Sequence, residues 1–563
     1  MPTKIVIIGG VAAGASAATK ARRTDESADI VVLERGPYVS FANCGIPYYL
    51  GGSIQNVDSL LVVSPQLLTK RFRLDLRPNH EVIGIDAAGK LLEVRDEGAG
   101  SSYTERYDKL ILATGGNPTR PPIPGIDLPG VFTLTTIPEV EAIKSYAAKR
   151  KIEEAVVVGA GFIGIETVEA LAALGLRVHL VEMLPQVLPP FDPELAAIVG
   201  AHLAAKGVQL HLGAQVTRFS GENALNAVML ADNGEIRAEL AVVAIGVTPN
   251  LQLAKLAGLD FGTTGGVVVD ERMLTSNPDI YACGDIVEST NLITGQKVRV
   301  PLAGPANKQG RVAGANAAGG NMRFKGVIGT LIVRAIDKTA AKAGLSEREA
   351  RALGMDCFIS LTHGTSHATY FPGAEPMDIK IVVESSTGRV AGAQIVGGDG
   401  VDKRIDVLAT AMYAGLDVED LENLDLAYAP PYSSARDPSN TAGFVAANVH
   451  RGELKAMAPV ELNRILASGE EIQLVDVRTP MEHANGKIGN AVHIPVDELR
   501  SHISELDPMR RTIAYCAAGY RSYLACRILL ANGFRDVTNL SGGYESWKYT
   551  QGRGTPESNR QML

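Results

Sequence analysis

The sequence predicts an α/β protein made of nested parallel-sheet domains, followed by an α+β domain and a small C-terminal α/β unit. Three observations carry that reading. An apolar strand that ends in glycines and runs into a helix occurs twice, with the first glycines at Gly9 and Gly159, and each time an acid closes the next strand. From about Phe324 the glycine turns give way to short strand-like runs and turn residues. Beyond a polar linker at 448–459, a separate strand–cysteine loop–helix unit begins.

In the first copy, Lys4-Ile5-Val6-Ile7-Ile8 leads into Gly9-Gly10-Val11-Ala12-Ala13-Gly14 and a helix from Ala15 to Arg23. The strand Ile30 to Leu33 then closes on Glu34, followed by Arg35. Glycines let a backbone approach a pyrophosphate at a helix N-terminus, and an acid at that distance meets ribose hydroxyls. Val11 stands where a middle glycine usually falls. The second copy has the full pattern, Gly159-Ala160-Gly161-Phe162-Ile163-Gly164, and its next strand, Arg177 to Val181, ends in Glu182. An acid there favours a free ribose 2′-hydroxyl, hence NAD over NADP. Two Rossmann-like dinucleotide-binding domains follow, the second inserted in the first. Strands at 110–116 (with Thr114 and Gly115), at 242–246 (ending in Gly246) and at 280–285 (ending in Gly284 and Asp285) supply the returning crossovers. The expected divisions are 1–150 and 251–323 for the split first domain, 151–250 for the insert, 324–447 for the α+β domain and 459–552 for the last unit.

The α+β domain is read from strand-like runs at 329–335, 379–384 and 390–396 and a helix from Lys403 to Tyr413. Two aromatic loops, His367 to Gly373 and Tyr428 to Arg436, read as site walls. In the last unit, strands at 474–478 and 512–515 precede Cys516-Ala517-Ala518-Gly519-Tyr520-Arg521-Ser522 and a helix from Tyr523 to Ala531. A loop wrapped around a sulfur aims successive N–H groups at it and stabilises a thiolate or persulfide, with Arg521 adding a cation. Cys283, among apolar neighbours, reads as a core thiol; Cys526 reads as a core thiol or, alternatively, as a resolving partner for Cys516.

The stretch Ser40-Phe41-Ala42-Asn43-Cys44-Gly45-Ile46-Pro47 places a lone cysteine just before a helix start, where the positive end of the macrodipole favours a thiolate. The next cysteine is Cys283, so Cys44 must work through a mixed disulfide, a persulfide or a sulfenic acid. At 563 residues, 46% hydrophobic and 21% charged, the composition is that of an ordinary globular protein. The net charge of −8, well mixed in sign, speaks against nucleic-acid binding. Five cysteines suggest a reducing compartment, and neither a signal peptide nor an 18-residue apolar run is present. A cytoplasmic protein with no membrane partner is expected, and no metal ligands are assigned.

On these motifs residues 1–445 resemble the flavin-dependent pyridine nucleotide–disulfide oxidoreductases, more narrowly the coenzyme A-disulfide reductases and NADH-dependent persulfide reductases. The last ~100 residues resemble a rhodanese domain, with Gly542-Gly543-Tyr544-Glu545-Ser546-Trp547 as its closing motif. The resemblance implies FAD on Gly9, Gly10, Ala13, Gly14, Glu34, Arg35, Thr114, Gly115, Gly284, Asp285 and Ala303, and NADH (NADPH being possible) on Gly159 to Gly164, Glu182 and Gly246. It implies a homodimer made by the 324–447 domain, with Tyr370 and Tyr428 of the second subunit facing sulfur on Cys44. It implies coenzyme A contacts at Ser16, Lys20, Arg23, Ser40, Asn43, Asn307 and Arg436, to which Arg71 is added as a phosphate partner. Cys44 is then the redox thiol and Cys516 the sulfur carrier. The expected activity is NADH-driven reduction of CoA persulfide, polysulfide and related sulfane sulfur to sulfide. CoA-disulfide reduction, an NADH oxidase or peroxidase, and a sulfur-carrier protein stand as alternatives.

Overall fold

Short strands of unbroken aliphatic residues need cover on both faces, and the helical crossovers that join parallel strands provide it. In the computed structural model, which describes residues 2–551, the first sheet runs in the order Ile280–Ala282, Lys109–Leu112, Lys4–Ile8, Asp29–Glu34, Asp75–Pro78. All four pairings are parallel, and Ile5, Val6 and Ile7 are fully buried. The helix after the first glycine turn spans Ala12–Thr24, so it starts three residues before the expected Ala15. Helix Ala303–Ala317 packs along it at backbone distance: a Cβ on Gly310 would lie 2.1 Å from Ala13 O, and one on Gly314 2.1 Å from Ala17 O.

The chain divides into two compact units. The first holds Met1–Gly159, Thr167–His179 and Val216–Val327. Besides the sheet above, it contains Glu154–Val158, which pairs in parallel with Leu240–Val243, itself paired with Val131–Phe132. The second unit holds Ala160–Glu166, Leu180–Gln215 and Ile328–Leu563, so the boundary passes through the second glycine motif.

In the second unit a five-stranded antiparallel sheet runs in the order Leu331–Ala335, Lys338–Gly344, Val390–Gly397, Pro376–Glu384, Cys357–Thr365. Helices Val401–Ala414 and Pro438–His450 pack on it. The sequence reading finds three of these strands and misses Lys338–Gly344 and Cys357–Thr365. The first of the missed strands is rich in Ala and Lys, residues with low strand propensity.

The C-terminal sheet is wholly parallel, in the order Lys455–Met457, Val537–Leu540, Thr512–Tyr515, Gln473–Asp476, Val492–His493. The segment 448–459, read as a linker, therefore supplies an edge strand of this sheet, and its first residues finish helix Pro438–His450. Residue 552, the last of the expected domain, lies outside the described residues. Among those residues no helix is long and apolar enough to cross a membrane, and no group of three or more His, Cys, Asp or Glu is placed to hold a metal.

Candidate active site: two glycine turns and two thiols

Both glycine turns have the same build. Gly9 (φ +98°) and Gly159 (φ +102°) leave their strands in the left-handed region, and a Cβ would lie 2.2 Å from Ala113 O in the first and 2.6 Å from Ala244 O in the second. Only glycine fits such a position. In each turn the acid of the following strand folds back. Glu34 accepts from the N–H of Gly10 and of Gly36, both at 2.8 Å, and Glu182 from the N–H of Ala160 at 2.8 Å and of Leu184 at 2.9 Å. Burial pushes the Glu34 carboxyl above its ordinary range, against the pull of those N–H groups and Arg35.

The N-cap of helix Ala12–Thr24 is Val11, which offers no side-chain oxygen to the first turn and leaves that end of the helix to an anion. Ala13 and Gly14 lie buried in that turn, and Gly14 passes so close to Gly9 that a Cβ would lie 1.7 Å from its carbonyl oxygen. In the second motif Phe162 and Ile163 open helix Phe162–Ala173, with Gly164 in its first turn. Gly115, Gly161 and Gly246 face open space where a side chain would stand. These cradles suit the pyrophosphate of a dinucleotide at each turn.

The remaining predicted cofactor residues are held by the protein itself. Thr114 Oγ1 donates to Asn250 O at 2.8 Å, the Arg35 guanidinium to Asn117 Oδ1 at 2.6 Å, and the Gly284 N–H to Gln309 Oε1 at 2.8 Å. Burial pushes the Asp285 carboxyl up, opposed by Arg299. Ala303 stands exposed at the start of helix Ala303–Ala317.

Of the five cysteines, Cys44 alone is exposed. It sits in the 3₁₀ turn Asn43–Gly45, and helix Ile46–Leu50 follows with Pro47 in its first turn. That helix has five residues, so the macrodipole available to the thiol is smaller than the sequence suggests. Its loop is tethered to the first glycine turn. Ser40 donates its N–H to Gly10 O at 2.7 Å and accepts from Val62 N–H at 2.8 Å, while Ala42 N–H reaches Leu60 O at 2.8 Å. Ser40 is 6% exposed and has φ +52°, a conformation a non-glycine residue holds at a cost of about 1–3 kcal/mol. The predicted coenzyme A contact is thus also a strained anchor.

Among the other predicted contacts, Ser16 Oγ donates to Asn307 Oδ1 at 2.5 Å, which brings those two together. Lys20 and Arg23 share their helix, and the Arg23 Nε–H donates to Thr19 O at 2.9 Å. Asn43 is exposed beside Cys44, and Arg71 is exposed in the last turn of helix Pro65–Phe72. Arg436 is exposed in the second unit, with the tyrosines.

Tyr370 and Tyr428 meet hydroxyl to hydroxyl at 2.8 Å, 74% and 49% exposed. That hydrogen bond pushes the Tyr370 phenol up. The two loops that carry them are joined at their bases. Ala368 N–H donates to Ser433 O at 3.1 Å, and the Arg404 guanidinium donates to Ser366 O (2.9 Å), Ser433 Oγ (3.1 Å) and Asp437 Oδ2 (3.0 Å). Asp437 also caps helix Pro438–His450 through the Ser439 N–H at 2.9 Å. Burial works against its charge, but Ser433, Ser439 and Arg404 outweigh it and hold the carboxyl low. The sequence reading misses Arg404, since one arginine in an amphipathic helix gives no sign of burial. The Asp437-Pro438 pair is the one available signal, as a helix start.

Cys516 is buried at the base of its loop. Its sulfur accepts from the Gly519 N–H at 3.1 Å and from Ser522 Oγ at 3.4 Å. Arg521 forms a bidentate pair with Glu482 at 2.7 and 2.8 Å, which holds the Glu482 carboxyl down at about 2. The expected cation is therefore already half-neutralised by an acid that the sequence reading does not name. Burial pushes Cys526 up to about 12, with Cys516 adding to the shift, and burial alone does the same to Cys283. Both are thiols, in line with their reading as core residues.

Three family profiles cover this architecture: pyridine nucleotide-disulphide oxidoreductase over residues 3–310, its dimerisation domain over 333–439, and a rhodanese-like domain over 458–550. The chain is 40% identical over 439 residues to the NAD(P)H coenzyme A polysulfide/persulfide reductase of Pyrococcus horikoshii, covering 78% of this chain and 97% of that protein. Among solved structures it resembles reduced Bacillus anthracis CoADR-RHD, with 41% identity, a TM-score of 0.94 and 98% of both chains covered. It also resembles an NAD-dependent persulfide reductase from A. fulgidus, with 41% identity, a TM-score of 0.90, and 97% of this chain and 100% of that one covered. The chain belongs to the pyridine nucleotide-disulphide oxidoreductases and carries a rhodanese-like domain at its C-terminal end.

Proposed function

We propose that this protein is an FAD-dependent NADH reductase of sulfane sulfur, acting on CoA persulfide and polysulfides and releasing sulfide, with its rhodanese-like domain relaying sulfur. One observation carries the reading. The same chain holds a single exposed thiol tethered to a dinucleotide-type turn and a second thiol in a nest of hydrogen-bond donors. The names of its relatives in P. horikoshii and A. fulgidus support it.

We assign FAD to the turn at Gly9–Gly14 with Glu34 and Asp285, in a domain formed by 1–150 and 251–323. NADH goes to Gly159–Gly164 with Glu182 in 151–250, where the Glu182 carboxylate disfavours a 2′-phosphate. A dimer made through 324–447 and a cytoplasmic location complete the proposal.

When bound, FAD passes the two electrons of a nicotinamide hydride to sulfur. The chain's own part is nucleophilic. The Cys44 thiolate attacks the outer sulfur of CoA-S-SH, the S–S bond of the substrate breaks, and CoA leaves as the thiol with the substrate's proton. Cys44 now carries the persulfide anion. Two electrons and one proton cleave it, restore the Cys44 thiolate and release hydrosulfide. The proton comes from the paired hydroxyls of Tyr370 and Tyr428 of the second subunit of the proposed dimer. Ser16, Lys20, Arg23, Asn43, Asn307, Arg71 and Arg436 are the contacts assigned to coenzyme A.

Anaerobic NADH consumption, with CoA persulfide and CoA disulfide offered separately, tests the reading. We expect fast turnover on the persulfide with stoichiometric sulfide, lost in Cys44→Ser while flavin stays bound. Turnover on the disulfide alone, or retained turnover in the Ser variant, overturns it.

A further inference from the structure

The turn that closes the rhodanese-like domain touches two places at once. Toward its own domain, the Tyr544 N–H donates to Cys516 O at 2.8 Å and the Glu545 N–H to Ala517 O at 3.0 Å. A Cβ on Gly543 (φ +58°) would stand 2.4 Å from Cys516 O, so the approach is backbone on backbone. Toward the antiparallel sheet of the same unit, Ser541 Oγ accepts from the Leu361 N–H at 2.9 Å, and the Leu361 side chain fills the space beside Gly542. His363, two residues along the same strand, places Nε2 at 2.8 Å from Gly542 O and 3.0 Å from Ser546 Oγ. Its Nδ1 is bound by the Asp378 carboxylate from the neighbouring strand.

This ring has an acceptor at each nitrogen. With Nδ1–H on the carboxylate, a neutral imidazole would turn its Nε2 lone pair toward the Gly542 carbonyl with only the Ser546 hydroxyl to donate to it, whereas the doubly protonated ring donates to both the carboxylate and the carbonyl. A side chain that only filled space would need no such arrangement, and Leu361 beside it already does that.

We propose that His363 is a positioning residue for sulfur transfer at Cys516. Through Gly542 and Ser546 it fixes the turn whose N–H groups hold the Cys516 and Ala517 carbonyls. It thereby fixes the loop that aims the Gly519 N–H at the Cys516 sulfur. This rests on the reading of Cys516 as a sulfur carrier. The aromatic loop bearing Tyr370 begins where the His363 strand ends, so the sulfur loop is braced by the same strand that leads into that loop.

The test uses the full-length chain and thiosulfate as donor. In loading, the Cys516 thiolate attacks the outer sulfur of thiosulfate, and an Sγ–S bond forms as the S–S bond of thiosulfate breaks. Sulfite leaves with the electron pair and the persulfide anion keeps the charge. After removal of excess donor, peptide mass spectrometry reads the fraction of Cys516 carrying one added sulfur, and transfer to cyanide gives kcat and KM.

His363→Leu is expected to lower both kcat and retained persulfide about tenfold or more, the scale of effect that small misplacements have. KM for thiosulfate and NADH-driven reduction of CoA persulfide should stay unchanged. His363→Gln, whose amide N–H reaches the place of Nε2–H, is expected to restore most of the loss. If the Leu variant does not fold, wild type is compared with His363→Gln and with Asp378→Asn, which keeps the ring but removes its carboxylate and is expected to lose persulfide. Leu and Gln variants that behave alike, or a Leu variant with wild-type occupancy, overturn the proposal. A wild-type protein that takes up no sulfur at all instead sinks the carrier reading of Cys516, and this proposal with it.

Discussion

Replacing Arg404 by Met should release both tyrosine loops. Arg404 is 1% exposed and Asp437 3% exposed, so the substitution takes the buried carboxylate's close partner away and leaves it only the more distant Lys403 Nζ at 3.8 Å, while a side chain of similar length fills the space. Breaking such a pair from one side costs about 3–5 kcal/mol. The direct losses agree in kind: donors to Ser366 O, Ser433 Oγ and Asp437 disappear together, and the first two belong to the bases of different loops. Local opening is the quantity to measure, because a chain of several domains does not unfold in one step. Amide hydrogen exchange at Ala368 and Ser433 should accelerate by roughly a hundred- to a few thousand-fold, at about 1.4 kcal/mol per factor of ten, up to the limit set by the loops' present protection. The double variant Arg404→Met/Asp437→Asn should recover a large part, since neither charge is then stranded. Acceleration of less than about tenfold, or a double variant as unprotected as the sum of the singles, would refute the argument that this ion pair holds the loops.

Two further outcomes follow from the packing and from His363. Gly314→Ala drives a Cβ to within 2.1 Å of Ala17 O, so the two helices must part. A loss of about 1–3 kcal/mol is expected in thermal unfolding of the first unit, and an unchanged melting temperature would count against the close approach. Burial opposes the charged form of His363, but Asp378 and then the Gly542 carbonyl outweigh it and raise its pKa above 6.5, with Glu545 the other facing charge. The contribution to docking is therefore fully present below the unfolded value and fades as pH rises through the raised one. Exchange protection at Leu361, corrected for intrinsic chemistry, should fall over that range in wild type and show no such step in His363→Leu.

The parts of the molecule visible in the sequence are those where local chemistry and fold coincide. A glycine turn with an acid closing the next strand is complete within about 25 residues, as Gly9 to Glu34 and Gly159 to Glu182 show. The Cys516 loop is likewise continuous: its strand Thr512–Tyr515 lies where it is read, and its helix begins at Tyr520, three residues before the expected Tyr523. What the sequence hides is whatever depends on distant partners. His363 and Arg404 look like ordinary polar residues until Gly542 and Asp437 arrive from 179 and 33 positions away. Strand Lys338–Gly344 carries no apolar alternation, because its residues from Ala340 to Gly344 are all buried and its alanines and lysines have little strand propensity of their own. Glu482 escapes notice for the opposite reason: an exposed-looking acid after Thr479-Pro480 reads as the third residue of a capping box, which it is, while its carboxylate also holds Arg521.

The contact between helices Ala12–Thr24 and Ala303–Ala317 also sets an order of events during synthesis. The outer strand Ile280–Ala282 cannot form until residue 282 has left the ribosome, and the glycine-lined partner helix is complete only at residue 317, roughly 15–60 s after the start at ordinary elongation rates. Until then the aliphatic edge of Lys109–Leu112 lacks its final neighbour, and Ala13 and Ala17 face no partner helix. The first domain to begin thus closes only after the segment between Leu112 and Ile280 has been made, and the chain carries an open sheet edge over that whole stretch of its translation.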